Sequence, residues 1–512
     1  MNIKEAKDEI CRTIKAYTAK DNAGLYRIPA RSRRPIFLMG APGIGKTAII
    51  SQAARECRIG FLSYTMTHHT RQSAIGLPLI REHSFRGETY SMTEYTMSEI
   101  IGGVYDRIEQ TGQEEGILFL DEINCVSETL LPTMLQFLQF KMFGTHVLPD
   151  GWIIAAAGNP PKYNRSAREF DVVTLDRVKY MELEADLDTW LSYAAGRSVH
   201  DSILSYLRLN REDFTTFSRS EYGREFVTPR SWEDLSQALK TYEALELPVE
   251  DSFFSQYLQS RTVSESFASY YRLCRKLSED APFAELLESG TMPPASLSLA
   301  SRPADERFCL ITQLSGMLRR ESQDYMEEET LLQSLSYFAD GLEHSLNAVQ
   351  PAASQTDFDL IRPTAEASSA SASASASFPA FSTACQSLLK KRTLAMNTKQ
   401  SLGLLAPEEE RLEHLLSAQV TTFLQNLRLN TAASPLAGFR SMLRTRQNDL
   451  EAGRQPLLTR FHAILDFLLR EFSDSLETGI FASELLNTPQ TEHFLKKYDA
   501  LLHNQIKDLA GE

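Results

Sequence analysis

The octapeptide Gly40-Ala41-Pro42-Gly43-Ile44-Gly45-Lys46-Thr47 constrains this chain more than any other stretch. It fits the pattern GxxxxGK[ST], follows the apolar run 35–39 (PIFLM) and opens a helical pattern from Thr47 to about Cys57. In a strand–loop–helix of this kind, glycines let backbone N–H groups turn inward around a phosphate, and the helix N-terminus adds partial positive charge. That context is what gives the motif its meaning. Residues Gly40 to Thr47 are then a nucleotide-phosphate cradle: Lys46 reaches the β- and γ-phosphates, and the Thr47 hydroxyl ligates Mg2+.

Further short apolar runs follow at 60–64 (GFLSY), 117–120 (ILFL), 153–157 (IIAAA) and 178–183 (VKYMEL), spaced by helix-sized segments. This pattern predicts a buried parallel sheet with helices on both faces. The third run ends in Asp121-Glu122. A carboxylate at that strand tip is suited to holding Mg2+ through water, and the next to acting as general base or to positioning the attacking water. Asp121 takes the metal role and Glu122 the second. The fourth run ends in Gly158-Asn159-Pro160, where the Asn159 amide is placed to hold water and sense a γ-phosphate. A guanine-specific NKxD is missing; the nearest string, 397–400 (NTKQ), fails at its last position.

With these elements in order, the chain resembles the AAA+ ATPases, and within them the MoxR-like group, over residues 1–275. GAPGIGKT, ILFLDEIN and AAGNP are similar to that family's Walker A, Walker B and sensor-1 motifs. By the same resemblance, Arg177 in the string 173–177 (VTLDR) is the arginine finger reaching a neighbouring subunit's nucleotide, with Arg165 and Arg168 competing for that role. Arg230 in 228–232 (TPRSW) is similar to the sensor-2 arginine of a lid helix. Residues 81–98 and 140–152 stand where the group carries an insertion and a hairpin, making Phe143, Gly144 and His146 substrate-contact positions. The resemblance implies ATP and Mg2+ as ligands, ATP hydrolysis, a homo-oligomeric ring (a hexamer), and remodelling of a protein partner such as one with a von Willebrand factor A domain.

The fold class expected is α/β: a P-loop NTPase parallel sheet with helices on both faces, then an all-α lid and an extra helical C-terminal region. The expected organisation is a nucleotide-binding core at 1–183, a lid at 184–275, a helical extension at 276–350, a Ser/Ala-rich linker at 351–382 and a helical module at 383–512. Two apolar stripes in that module, at 412–427 and 457–472, read as bundle core or as a partner-binding face. The chain has 512 residues, 42% hydrophobic, too apolar for disorder. No apolar run approaches the length of a membrane span, and the N-terminal segment lacks a secretory apolar region. The six scattered cysteines form no CxxC pair and read as reduced thiols, so a cytoplasmic location is expected. The net charge of −14 is uneven: residues 1–60 carry 12 Lys+Arg against 5 Asp+Glu, an excess of +7, leaving −21 to the remainder. An acidic surface favours a protein partner over nucleic acid. The patch 27–34 (RIPARSRR) reads as a solvated basic face, an adenine-side element or a nucleic-acid contact. His68-His69 lacks the further ligands a metal needs. Two other readings share the same core, a nucleic-acid-acting or restriction-type NTPase motor and a nucleotide-switched scaffold with little turnover.

Overall fold

The computed structural model describes residues 1–220, 223–279, 286, 298–348, 378–401, 405–427, 434–473 and 475–511. Helix α1 (Ile3–Thr18) begins where Asn2 closes a capping box with Glu5, and it buries Ala6, Ile10 and Ile14 at helical spacing. The chain then runs through β1 (Ile36–Gly40), α2 (Lys46–Glu56), β2 (Gly60–Thr65) and the short α3 (Arg71–Ile75). A two-stranded hairpin, β3 (Pro78–Phe85) and β4 (Glu88–Tyr95), turns at Arg86-Gly87, where both residues have positive φ. After it come α4 (Glu99–Thr111), β5 (Gly116–Asp121), α5 (Leu131–Phe140), the small hairpin β6 (Met142–Phe143) and β7 (His146–Val147), β8 (Trp152–Gly158), α6 (Val172–Leu175) and β9 (Lys179–Leu183).

The five long apolar runs become one sheet in the spatial order β2-β5-β8-β1-β9, with every neighbouring pair parallel. The period-2 alternation of each strand feeds two cores. Ile36, Leu38, Phe119 and Ile153 meet Ile10 and Ile50 from α1 and α2 on one face. Phe37, Leu118, Leu120 and Ile154 meet Ile101 and Phe137 from α4 and α5 on the other. Burial on both faces is why the three inner runs, those of β5, β8 and β1, are apolar throughout. The order also inserts β8 between β1 and β5, so the C-terminal ends of three adjacent strands carry the phosphate loop, Asn159 and Asp121-Glu122.

The region expected as an all-α lid holds α7 (Leu187–Gly196), α8 (Asp201–Leu209), α9 (Pro229–Ala244), α10 (Asp251–Tyr257) and α11 (Arg261–Glu279), packed around an aromatic cluster. In it Tyr206 and Trp232 each meet Phe267 edge-on, at 5.2 and 5.4 Å. It also contains a hairpin, β10 (Thr216–Ser220) and β11 (Gly223–Val227), which pairs Phe217 with Phe226. Its strands are short and rich in Ser and Arg, so their alternation is faint beside the helical patterns on either side.

The chain divides into two compact units that do not follow chain order: Met1–Gly316 with Ser475–Thr488, and Met317–Gln400 with Leu405–Asp474 and Pro489–Glu512. In the first, helix Leu476–Leu486 buries Glu484 completely, and its carboxylate pairs with Arg208 of α8 at 2.8 Å. There too Cys274 and Cys309 are joined as a disulfide, their Cα atoms 6.0 Å apart, where scattered spacing predicted only thiols. In the second unit, Leu416 and Val420 from helix Pro407–Leu427 pack with Leu335, Phe381 and Phe439. The stripe 412–427 is thus bundle core. The expected linker lies outside the described residues as far as residue 377, and from Phe378 the chain is helix Phe378–Ser401. Among the described residues no helix is long and apolar enough to cross a membrane.

Candidate functional site

The site starts from a geometric necessity at the end of β1. A Cβ on Gly40 would stand 2.7 Å from the Ile44 side chain and 2.8 Å from the Leu183 carbonyl, so only glycine lets the loop turn back over the strand end. Gly45 caps α2 with φ 90°, a left-handed conformation that costs glycine little. Its would-be Cβ meets nothing within 4 Å, so the space beside the helix N-terminus is open.

Lys46 is buried, only 8% exposed. Its ammonium donates to the carbonyls of Gly40 and Ala41 at 3.0 and 2.8 Å and to Asn159 Oδ1 at 2.7 Å. Burial pushes its pKa down to about 8; the carboxylates of Asp121 and Glu122 oppose that shift, and the positive charge of Arg230 adds to it. Thr47 Oγ1 donates to Asp121 Oδ2 at 2.7 Å, and the Glu122 N–H donates to Asp121 Oδ1 at 2.9 Å. Glu122 itself has φ 55° and ψ 34°, a left-handed conformation uncommon for a residue with a side chain. The structure therefore brings Lys46, Thr47, Asp121, Glu122 and Asn159 to one edge of the sheet.

Arg230 enters from the start of helix α9. A Cβ on Gly43 would lie 2.8 Å from Thr228 Oγ1 and 3.3 Å from the Arg230 Cβ, so helix α9 begins directly against the phosphate loop. Pro42, Gly43, Thr228 and Arg230 line a cavity of ≈ 290 Å³ there. Arg177 makes a different contact: exposed, it donates to Gln139 Oε1 of α5 at 2.8 Å. Its two competitors are exposed as well, Arg168 pairing with Glu128 at 2.7 Å.

Two polar residues that the motifs did not single out complete the group. Thr67 donates its hydroxyl to Glu122 Oε2 at 3.1 Å; the β2–β5 register, which sets Thr65 opposite Asp121, brings it there. Asn124, fully buried two residues beyond Glu122, donates to the Asn159 carbonyl at 2.8 Å. A polar amide so soon after an acidic strand tip was the available signal for Asn124; Thr67 had none nearby.

Two expectations change. Phe143 is not a surface contact: it is 3% exposed and stacks on Phe137 with ring centroids 4.1 Å apart. Its neighbours Met142 and Val147 are the exposed apolar positions, while His146 Nε2 lies 3.3 Å from the Tyr95 carbonyl oxygen. The basic patch is partly internal, because Arg33 is buried against the Tyr26 ring and donates to the Ile28 carbonyl at 2.9 Å. His69 Nδ1 lies 3.3 Å from Ser73 Oγ, and no metal-suited group of three or more His, Cys, Asp or Glu occurs among the described residues.

Residues 36–174 match the model of the ATPase family associated with various cellular activities (AAA). Two solved structures are similar to the chain. One is a candidate ATPase of Cytophaga hutchinsonii (15% identity, 54% of this chain and 79% of that one, TM-score 0.25). The other is PCH-2 of C. elegans (13% identity, 62% of this chain and 69% of that one, TM-score 0.24). No curated protein matches by sequence. The phosphate loop, the acidic strand tip and the intervening strand all fall inside the span that is similar to the AAA family's ATPase domain, and the chain is an ATPase.

Proposed function

We propose that this ATPase works in a ring of identical subunits, a hexamer by its resemblance to the MoxR-like group, and uses Mg2+-dependent ATP hydrolysis to remodel a protein partner. The observation that carries the catalytic part is the paired bridge Lys46–Asn159 and Thr47–Asp121, with Glu122 beside it. Lys46 and the N–H groups of residues 43–47 hold the nucleotide phosphates, Glu122 orients or deprotonates the attacking water, and Asn159 holds that water against the γ-phosphate. Arg230 adds charge from the lid.

The residues present suit a hard divalent cation. Thr47 Oγ1 and Asp121 Oδ2 are adjacent oxygen donors, and a single carboxylate with a hydroxyl leaves the remaining positions to phosphate and water, as Mg2+ prefers. When bound, Mg2+ neutralises phosphate charge.

The exposed guanidinium of Arg177 is free to reorient from Gln139 toward a neighbour's nucleotide. The acidic remainder of the chain favours a protein partner, and a von Willebrand factor A domain is the class the resemblance implies. Steady-state hydrolysis by wild type and Glu122→Gln tests the catalytic reading; equal rates overturn it. In subunit-mixing titrations, Arg177→Ala subunits poison wild-type rings more than in proportion to their fraction, whereas a linear decline argues against action across subunits.

A further inference from the structure

We propose that Asn124 is a positioning residue for hydrolysis: it locks the two strand ends that carry Glu122 and Asn159 into one relative placement. This rests on the reading of the Lys46–Asp121–Asn159 group as the hydrolytic site. Asn124 is fully buried on the turn Ile123–Cys125 that follows Glu122. Its Nδ2 donates to the carbonyls of Asn159 and Arg168 at 2.8 and 3.2 Å, and its Oδ1 accepts from the Asn159 N–H at 3.3 Å. The backbone closes the same link, since the Arg168 N–H donates to the Asn124 carbonyl at 3.0 Å.

A carboxamide carries two N–H donors and an acceptor on one short stem, and all three are used here. Aspartate keeps the acceptor and loses both donors; alanine loses all. The fit is close on the strand side as well, because a Cβ on Gly158 would stand 2.6 Å from Asn124 Oδ1. Asn159 is thus held by its own peptide from one side, while its side chain takes the Lys46 ammonium at 2.7 Å. If the Asn159 peptide rotates, the amide that faces the γ-phosphate moves relative to Glu122.

The test uses the full chain and measures kcat, KM, the Kd of a fluorescent ATP analogue and a urea unfolding curve for Asn124→Ala, Asn124→Asp, Gly158→Ala, Asn159→Ala and Asn124→Ala/Asn159→Ala. Misplacement of a water-holding group costs roughly 10- to 100-fold in kcat, with Kd changed less than about threefold. The double variant is expected to lose no more than Asn159→Ala alone, because both act on one element. A kcat within about twofold of wild type for a cooperatively unfolding Asn124→Ala, or losses that multiply in the double variant, overturns the proposal. If Asn124→Ala does not fold, Gly158→Ala, which keeps the carboxamide but displaces it, decides alone: a wild-type kcat there overturns the proposal. Hydrolysis that is insensitive to Glu122→Gln removes the underlying ATPase assignment instead, so the two failures are distinct.

Discussion

The Lys46 ammonium is bonded to the Asn159 side-chain oxygen at 2.7 Å, with two loop carbonyls as its other acceptors. The cation proposed to meet phosphate is thus held inside the protein by neutral oxygens, which satisfy its protons without cancelling its charge. Asp121 and Glu122 act only through space, and burial prevails over them. A phosphate entering beside Gly45 replaces neutral acceptors with negative ones, and the Lys46 charge then gains a counter-ion.

This predicts a pH dependence of nucleotide binding. The free Lys46 group titrates at about 8, whereas bound phosphate raises its pKa, so binding takes up a proton above pH 8. The Kd for a fluorescent ATP analogue is expected to be flat from pH 6.5 to about 7.5, then to weaken by up to about tenfold per pH unit. For stability of the free chain the sign is opposite. The folded pKa lies below the unfolded value, so the cost of the buried ammonium is present below pH 8 and is relieved as pH rises toward about 10.4. Lys46→Met removes this dependence from the unfolding curve; an unchanged pH profile in that variant counts against the assignment.

Thr67 donates to the carboxylate of Glu122 and holds it on the β2 side. Thr67→Ala frees that carboxylate from a hydrogen bond worth about 1 kcal/mol. Steady-state hydrolysis is expected to rise roughly two- to fivefold with KM unchanged. Thr67→Ser retains the hydroxyl and the wild-type rate. A fall in rate in the alanine variant shows that Thr67 supports Glu122 rather than restrains it.

Phe143 and Met142 are adjacent with opposite fates, one stacked on Phe137 and the other exposed. Phe143→Ala is expected to cost about 3–5 kcal/mol in urea unfolding, the usual range for emptying an aromatic core position. Met142→Ser stays within about 0.5 kcal/mol. If the hairpin touches a partner, Met142→Ser lowers partner-stimulated hydrolysis while basal hydrolysis holds.

Arg208 and Glu484 form an ion pair whose carboxylate is fully buried. Removing the guanidinium in Arg208→Ala strands that carboxylate and costs about 3–5 kcal/mol. Arg208→Ala/Glu484→Ala recovers part of the loss, because the uncompensated charge is gone. Equal stability of the single and double variants in urea refutes the pairing.

The make-up of the candidate site was legible wherever a short stretch carried both its backbone geometry and its polar side chains. Gly40–Thr47 encodes a turn only glycine can make, followed at once by the lysine and threonine that use it. The apolar runs before Asp121 and Asn159 encode strands buried on both faces, so their polar ends had to lie at a sheet edge. The residues that escaped are those whose partners come from another element. Thr67 meets Glu122 because β2 pairs with β5, and Asn124 meets Asn159 because β8 lies next to β5. Phe143 goes inward because the hairpin returns it to Phe137 on α5. Glu484 is buried by an arginine far back along the chain. Local sequence specifies conformation through steric and hydrogen-bonding preferences over a few residues. Which distant side chains then share a hydrogen bond or a core depends on strand order and packing, and those are properties of the folded chain as a whole.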